Sequence, residues 1–229
     1  MDLSSVDSKR YSAKDFVYME LKKLIISGDL EPSQQINEKA LAEKLSISRT
    51  PIREALNRIE LEELIVRMPN GRIRVAPVSV EEAKEIFTVR SLLEGVVAKE
   101  AAMKITSGEL GELKFLTELL IRSAEQGDSE KVIFYGDKFH HMLYDVSGNR
   151  TVVKILNNMN DHIMRYRSLG PKTSKSRSSA AAEEHLALYK VIEQKDGQQA
   201  EILMREHIRN SLEAAVHSIQ RHLKLVEKP

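Results

Sequence analysis

Residues 41–64, LAEKLSISRTPIREALNRIELEEL, constrain the fold of this chain more than any other stretch. They hold two short runs of apolar residues at helical spacing, interrupted at residues 46–48. Ser48 is a favourable cap for the second helix, and Pro51 falls in its first turn, where a missing N–H is tolerated. Two helices joined by a turn of about three or four residues form a helix-turn-helix. The stretch therefore predicts this motif.

The second predicted helix has a polar side that suits nucleic acid. Arg49 and Thr50 stand at its exposed start, and Arg53 lies one turn beyond Arg49. Guanidinium groups and a hydroxyl at this place can meet base edges and phosphates in a major groove. The alternative interpretation is a solvated arginine face on an ordinary helix. The predicted inward stripe of this helix comprises Ile52, Ala55, Leu56 and Ile59.

A hairpin is predicted directly after the helix-turn-helix. Residues 65–68 and 72–75 have the composition of strands, and Pro-Asn-Gly between them is a turn sequence favoured in hairpins. Two strands at this place form a wing. Its arginines, Arg67, Arg72 and Arg74, can then reach the DNA backbone or the minor groove.

Composition and charge exclude several classes of protein. The chain has no cysteine, which excludes disulfides, cysteine-ligated zinc and thiol catalysis. No apolar run approaches the ~18 residues of a membrane span, and residues 1–14 lack the apolar segment of a signal peptide, so a cytoplasmic protein with no membrane partner is expected. Net charge is +1, but residues 39–74 hold eight Lys or Arg against five Asp or Glu. This modest local excess suits phosphate binding by two copies of the chain.

Helical periodicity dominates the rest of the chain and predicts a mainly α protein. A winged helix-turn-helix would be followed by an all-α antiparallel bundle with short links. The predicted divisions are a flexible arm (1–14), a DNA-binding domain (15–76), a hinge (77–79) and an effector-binding and dimerisation domain (80–226). The predicted bundle helices span residues 80–105, 108–125, 129–146, 149–169, 180–193 and 198–225.

Residues 27–75 resemble the winged helix-turn-helix of the GntR family of bacterial transcription regulators. The order of the parts, with SRTPIREAL at the centre, carries the resemblance. Ser33, Ser46 and Glu63 stand where this family usually has glycine, which adopts positive φ freely. The DNA contacts implied by the resemblance are Lys39, Ser48, Arg49, Thr50, Arg53, Asn70, Gly71 and Arg72.

The helical half resembles the FCD ligand-binding domain of the FadR-type branch of that family. The resemblance rests on Arg90 with Glu94, on FHHMLYDVSGN at 139–149 and on EEHLALYKVIEQKDGQQAEILMREHI at 183–208. It implies a homodimer and a small effector, an organic acid. Arg90 on the first bundle helix, and Arg165 with the adjacent Tyr166 and Arg167 on the fourth, are candidates to contact the effector carboxylate, the arginines through their guanidinium groups. Surface ion pairing is the alternative role for these residues.

The histidines suggest a metal centre. Three of them lie on separate predicted helices within the family-like segments: His140, His185 and His207. Converging imidazoles would bind a divalent metal such as zinc, nickel or manganese. The resemblance implies a carboxylate one turn before His140, but Gly136 stands there. Asp137 is one residue late, about 100° around the helix, and can pair with His141 instead. A three-histidine site, a four-ligand site and a site that no longer holds metal all stay open.

Three functions are compatible with these features. The preferred one is a regulator that binds a palindromic operator in double-stranded DNA as a homodimer and responds to an organic acid. A rival is a metal-dependent enzyme acting on a small acid in the histidine-rich bundle. The sequence offers no general-base pair of carboxylate and histidine, no phosphate loop and no G-x-S-x-G for it. The third is an interaction protein whose winged helix binds another protein.

Overall fold

A computed structural model describes residues 12–169 and 175–226 and divides the chain into two compact units, Met1–Val78 and Ser79–Pro229. Most of the predicted arm, residues 1–11, lies outside the described residues. Its last two residues belong instead to a first helix, α1, Ala13–Ser27. The helix begins this early because Ser12 caps it, accepting a hydrogen bond from the Asp15 backbone N–H at 3.3 Å.

The first unit contains the predicted helix-turn-helix and wing. Helix α1 ends at Gly28, which adopts a φ of 81°. The elements that follow are β1 (Gln35–Ile36), α2 (Glu38–Leu45), α3 (Arg49–Leu61), β2 (Ile65–Arg67) and β3 (Ile73–Val75). The strands form an antiparallel sheet in the order β1-β3-β2, with Ile65 opposite Val75. The predicted strands were slightly long, because Met68 and Arg72 are hydrogen-bonded inside the turn.

The predicted apolar stripe of α3 forms part of the core of this unit. Its members pack with residues from α1 and from all three strands, so the helix is fixed by side-chain burial. Burying an aliphatic side chain of this size contributes roughly 1.5–3 kcal/mol. The stripe prediction is therefore confirmed: Ile52, Ala55, Leu56 and Ile59 are each at most 2% exposed.

In residues 12–78 of the first unit, three turns place a residue other than glycine in the left-handed region. These are Ser33, Ser46 and Glu63, with φ of 66°, 53° and 58°, and they are the positions where the resemblance implies glycine. A side chain in this conformation costs roughly 1–2 kcal/mol.

Ser46→Gly and Glu63→Gly, made separately, are expected to raise the free energy of unfolding by about 0.5–1 kcal/mol each, because the relief of strain exceeds the added entropy of the unfolded chain. Urea denaturation at constant m-value measures the gain. Ser48→Gly is the matched control, since Ser48 has a φ of −62° and no strain to relieve. Equal or lower stability of Ser46→Gly would contradict the argument.

The described residues of the second unit form helices and the short links between them. Its helices are α4 (Val80–Lys104), α5 (Ser107–Glu125), α6 (Ser129–Ser147), α7 (Arg150–Ser168), α8 (Lys175–Glu193) and α9 (Gly197–Val226). Helix α4 packs against α6, α7, α8 and α9 and so lies at the centre. Ser79 caps α4, and Thr106 with Glu109 forms a capping box on α5. The mainly α class is confirmed.

The core of this unit is unusual in holding charged and titratable side chains. Burial of such groups is costly unless they are paired or bind a metal. The buried members around which the site is built are Arg90, Glu94, His140, His185 and His207.

Candidate functional site

The start of α3 presents its arginines to solvent. Arg49 and Thr50 are exposed, and the side chain of Arg53 is 62% exposed. Nε of Arg53 donates to Oε2 of Glu38 on α2 at 3.0 Å. This ion pair orients the guanidinium from its Nε edge and does not use the terminal Nη groups. Both arginines are therefore at the surface, where a DNA groove can reach them.

The first backbone N–H groups of α3 donate no hydrogen bond to the side chain of the capping residue. Ser48 occupies the cap position, but its hydroxyl makes no capping hydrogen bond, contrary to the predicted capping role. The first backbone N–H groups of a helix lack partners inside the helix and attract phosphate. Lys39, in the first turn of α2, is exposed and lies 3.8 Å from Glu43. These groups suit contacts to the DNA backbone.

The wing tip is a tight turn. Gly71 adopts a φ of 75°, and Oδ1 of Asn70 accepts a hydrogen bond from the Arg72 backbone N–H at 3.0 Å. Asn70 thus shapes the turn that carries the exposed Arg72. Arg67 differs from the expectation, because its guanidinium binds Glu60 at 3.1 Å. This ion pair competes with any contact from Arg67 to a DNA phosphate.

The three predicted histidines meet in the second unit. His140 on α6, His185 on α8 and His207 on α9 are each 3% exposed. Their ring centroids are 4.5 to 5.4 Å apart. One ligand nitrogen from each lies within 4.8 Å of the others. We call these residues the histidine centre.

An acceptor fixes the Nδ1 atom of every ring in the histidine centre. His140 Nδ1 lies 3.0 Å from Oε2 of Glu94, and His207 Nδ1 lies 2.6 Å from Oε2 of Glu184. His185 Nδ1 lies 2.7 Å from the Ala181 carbonyl oxygen. Ionised carboxylates and carbonyls only accept, so each Nδ1 carries the proton. This arrangement orients the rings of metal-binding histidines, because it leaves Nε2 as the ligand atom.

The Nε2 atoms face one another. Those of His140 and His207 are 3.2 Å apart, and that of His185 is buried without a hydrogen-bond partner among the described residues. Burial lowers the pKa of His185 well below its usual value and that of His207 to about 4, so both are neutral at pH 7. Converging lone pairs repel unless a cation lies between them. The residues therefore fit a divalent metal bound by three imidazoles.

Arg90 does not have the environment expected of an effector-binding residue. Its Nε and Nη2 donate to Oε1 of Glu94 at 3.1 and 3.0 Å, in a buried pair rather than on the surface. Tyr144 donates to the same oxygen at 2.7 Å. Burial alone would raise the pKa of Glu94, but His140, Arg90 and Tyr144 together hold it below its usual range. Arg90 thus supports the carboxylate that orients His140.

Helix α6 settles which way Asp137 points. A Cβ built on Gly136 would lie 3.5 Å from Nε2 of His185, so position 136 faces the histidine centre. The carboxylate of Asp137 lies instead 3.4 Å from Nδ1 of His141. Asp137 is not part of the cluster that could hold a metal. The described residues therefore supply three imidazoles to the histidine centre, and the Asp137 carboxylate pairs with His141 instead.

A cavity of about 540 Å³ opens beside the histidine centre. All three histidines and Gly136 line it, together with Arg167. Burial and the neighbouring Arg90 lower the pKa of Arg167 to about 10, which leaves it cationic at neutral pH. Arg165, another predicted effector ligand, is not among the lining residues. It is buried near Tyr166 and Glu82, because two residues along a helix correspond to about 200° of rotation.

Glu184 is a site residue that the sequence did not reveal. It accepts from His207 and is bound by both terminal nitrogens of Arg177 at 3.0 Å. Burial opposes its ionisation, but the bonds from His207 and Arg177 lower its pKa to about 2. Its position directly before His185 was the only available signal.

Comparisons with known proteins match both units. The profile described as bacterial regulatory proteins, gntR family, matches residues 13–75, and the FCD domain profile matches residues 85–210. The chain is 27% identical to the HTH-type transcriptional regulator YdhC of Bacillus subtilis over 204 residues, 89% of this chain and 91% of YdhC. It is 29% identical to the gluconate operon transcriptional repressor of Bacillus licheniformis over 143 residues, covering 62% and 58% of the two chains.

Solved structures agree on the fold. Escherichia coli McbR/YncC superposes with a TM-score of 0.72 at 24% identity, over 90% of this chain and 98% of that one. Within the described ranges, no helix combines the length and apolar character that a membrane crossing requires.

Proposed function

Because the chain belongs to the GntR family of bacterial transcription regulators and carries an FCD domain, we propose that it binds a palindromic operator as a homodimer. We further propose that an organic acid in the cavity of the second unit changes the affinity of the protein for DNA. The family and its named members are DNA-binding regulators, so the enzyme alternative is excluded. Operators of bacteria lie in the cytoplasm, which is the proposed location.

The exposed start of α3 is the observation that carries the DNA-binding part. Arg49 and Arg53 would read base edges, while Lys39, Ser48 and Thr50 would contact phosphates. The wing residues Asn70, Gly71 and Arg72 would add contacts beside the groove. The local charge excess is small, so one copy would bind weakly. Two copies on two half-sites, one helical turn or a multiple of it apart, supply the missing affinity and imply the palindrome.

The histidine centre and its cavity support the effector part. A divalent metal held there, whether zinc, nickel or manganese, would supply a Lewis-acidic anchor for a carboxylate. The three imidazoles would hold it through Nε2, with Glu94, Glu184 and the Ala181 carbonyl orienting the rings. Among the predicted candidates, we assign the second carboxylate contact to Arg167 rather than to Arg90 or Arg165, since it lines the same cavity. The named gluconate repressor is consistent with an organic acid.

The metal assignment is tested by elemental analysis of purified protein. His185→Ala removes the imidazole whose Nε2 is buried without a partner, and it is expected to lose most of the bound metal. His222→Ala, on α9 outside the cavity lining, is the matched control and should keep it. Equal metal content in wild type and His185→Ala would rule out the histidine centre as the binding site.

The regulatory assignment is tested by locating the DNA bound by the protein on its own genome. We expect a small number of palindromic sites upstream of genes for acid metabolism. Adding the corresponding acids to purified protein and operator should then change the affinity for DNA. Unspecific coverage of the genome, without enriched palindromes, would contradict the assignment.

A further inference from the structure

The histidine centre offers no negative charge to a bound cation. Position 136 is the place on α6 from which a side chain would reach it, and glycine has none. The neighbouring Asp137 carboxylate is directed to His141. The ligand set contributed by the described residues is therefore three imidazoles and no carboxylate.

The surrounding acidic groups do not compensate for this deficit. Glu94 is already paired with Arg90 and Glu184 with Arg177. Asp137 lines the cavity, but its carboxylate lies against Nδ1 of His141 at 3.4 Å. Arg167 adds a positive charge at the cavity wall. A divalent ion would keep nearly its full charge in a buried place beside a guanidinium, and such an uncompensated charge is unfavourable.

We propose that a carboxylate entering the cavity completes the metal centre in place of the side chain missing at Gly136, so that cation and acid each strengthen the binding of the other. The inference rests on the proposed metal and effector roles and specifies how they are linked. The carboxylate approaches from the side of Gly136, where the cavity lies against the histidine centre, and Arg167 supports its charge. Coupling of two ligands is reciprocal, so the acid must strengthen metal binding as much as the metal strengthens acid binding.

Coupled binding would make the second unit a sensor of the acid and the metal in combination. Metal alone would bind more weakly than metal together with the acid, and the acid would bind more weakly to a chain without metal. The second unit would then respond to both together. A carboxylate at position 136 would remove this dependence, because the chain would supply the charge itself.

Calorimetric titration of the full-length protein with zinc, with and without acetate, tests the coupling. Acetate is a suitable probe because it binds zinc in water only weakly. We expect saturating acetate to tighten zinc binding to the wild type about 5-fold or more, the lower end of typical coupling. Gly136→Asp should bind zinc more tightly without acetate and gain less than about 2-fold from it. Gly136→Asn, equal in size but neutral, should fill the same space without supplying charge, so its zinc binding without acetate should be no tighter than that of the wild type.

The possible outcomes distinguish the coupling of acid and metal from the metal assignment itself. Zinc binding to the wild type that does not change with acetate would overturn the coupling and leave the metal assignment standing. Failure to bind zinc at any acetate concentration would overturn both. Equal behaviour of the Asp and Asn variants would show that charge at position 136 is irrelevant. Circular dichroism of each variant checks its fold, and the wild-type comparison does not depend on any variant folding.

Discussion

Replacing Arg49 or Arg53 by alanine is expected to weaken specific operator binding by about 10- to 100-fold for each arginine, while folding is unchanged. A bidentate contact from arginine to a base contributes about 1–3 kcal/mol of discrimination. Both side chains are exposed and neither belongs to the core of the first unit. Fluorescence anisotropy on operator and on unrelated duplex, over a range of salt, measures the loss.

The salt dependence separates the two kinds of contact. An arginine that binds a phosphate reduces the slope of log K against log salt by about 1 when it is removed, whereas an arginine that reads a base reduces mainly the preference for the operator.

Arg58→Ala is the matched control. Arg58 is on the same helix and is also exposed, but its guanidinium stacks on the Tyr18 ring at 3.6 Å and lies 3.8 Å from Asp15. The Arg58→Ala substitution removes one positive charge, as Arg49→Ala and Arg53→Ala do, but on the side of α3 that packs with α1. Comparable weakening by Arg58→Ala would show that net charge, and not the start of α3, governs binding.

Glu94→Ala is expected to destabilise the second unit by about 3–5 kcal/mol, the typical cost of leaving one buried charge without its partner. Arg90 would remain buried, and both Tyr144 and His140 would lose their acceptor. Thermal and chemical denaturation measure the loss. The effect should reach the metal as well, since an unfixed His140 is a poorer ligand.

Two comparison variants make this prediction specific. Arg90→Met combined with Glu94→Leu removes both charges together and should recover much of the stability, because a buried pair replaced by apolar residues is often neutral. Glu206→Ala, on α9, removes a carboxylate outside this network and should cost little. If Glu94→Ala were as stable as the double variant, the buried pair would not be what holds this core together.

Local patterns predicted the elements of this fold well. The bundle helices agree with the expected spans to within a few residues, because Gly127, Gly148 and the capping residues end or start them. The α8 helix is the exception, since it begins five residues earlier than expected. The buried side of α3 could be predicted because apolar residues at helical spacing show which side of a helix faces inward.

Contacts between distant segments were harder to predict. Periodicity shows that a residue faces inward but not which element it meets, so Glu184 beside His207 could not be assigned. The sequence offered both Arg165 and Arg167 as effector ligands and could not rank them by position, whereas in the structure Arg167 lines the cavity and Arg165 lies about 200° around the helix. By contrast, the reasoning that a one-residue shift turns Asp137 away from His140 depends only on helix geometry, and the structure has Asp137 beside His141.

Selection of bound duplexes from a random pool by the purified protein tests the central claim most directly. If two copies of α3 read two half-sites, the selected sequences will be palindromes whose half-site centres are about 10 bp, or a multiple, apart. The Arg49→Ala and Arg53→Ala proteins will then lose preference at symmetric positions in both halves. Selected sequences without two-fold symmetry, or unchanged by these substitutions, would contradict the claim.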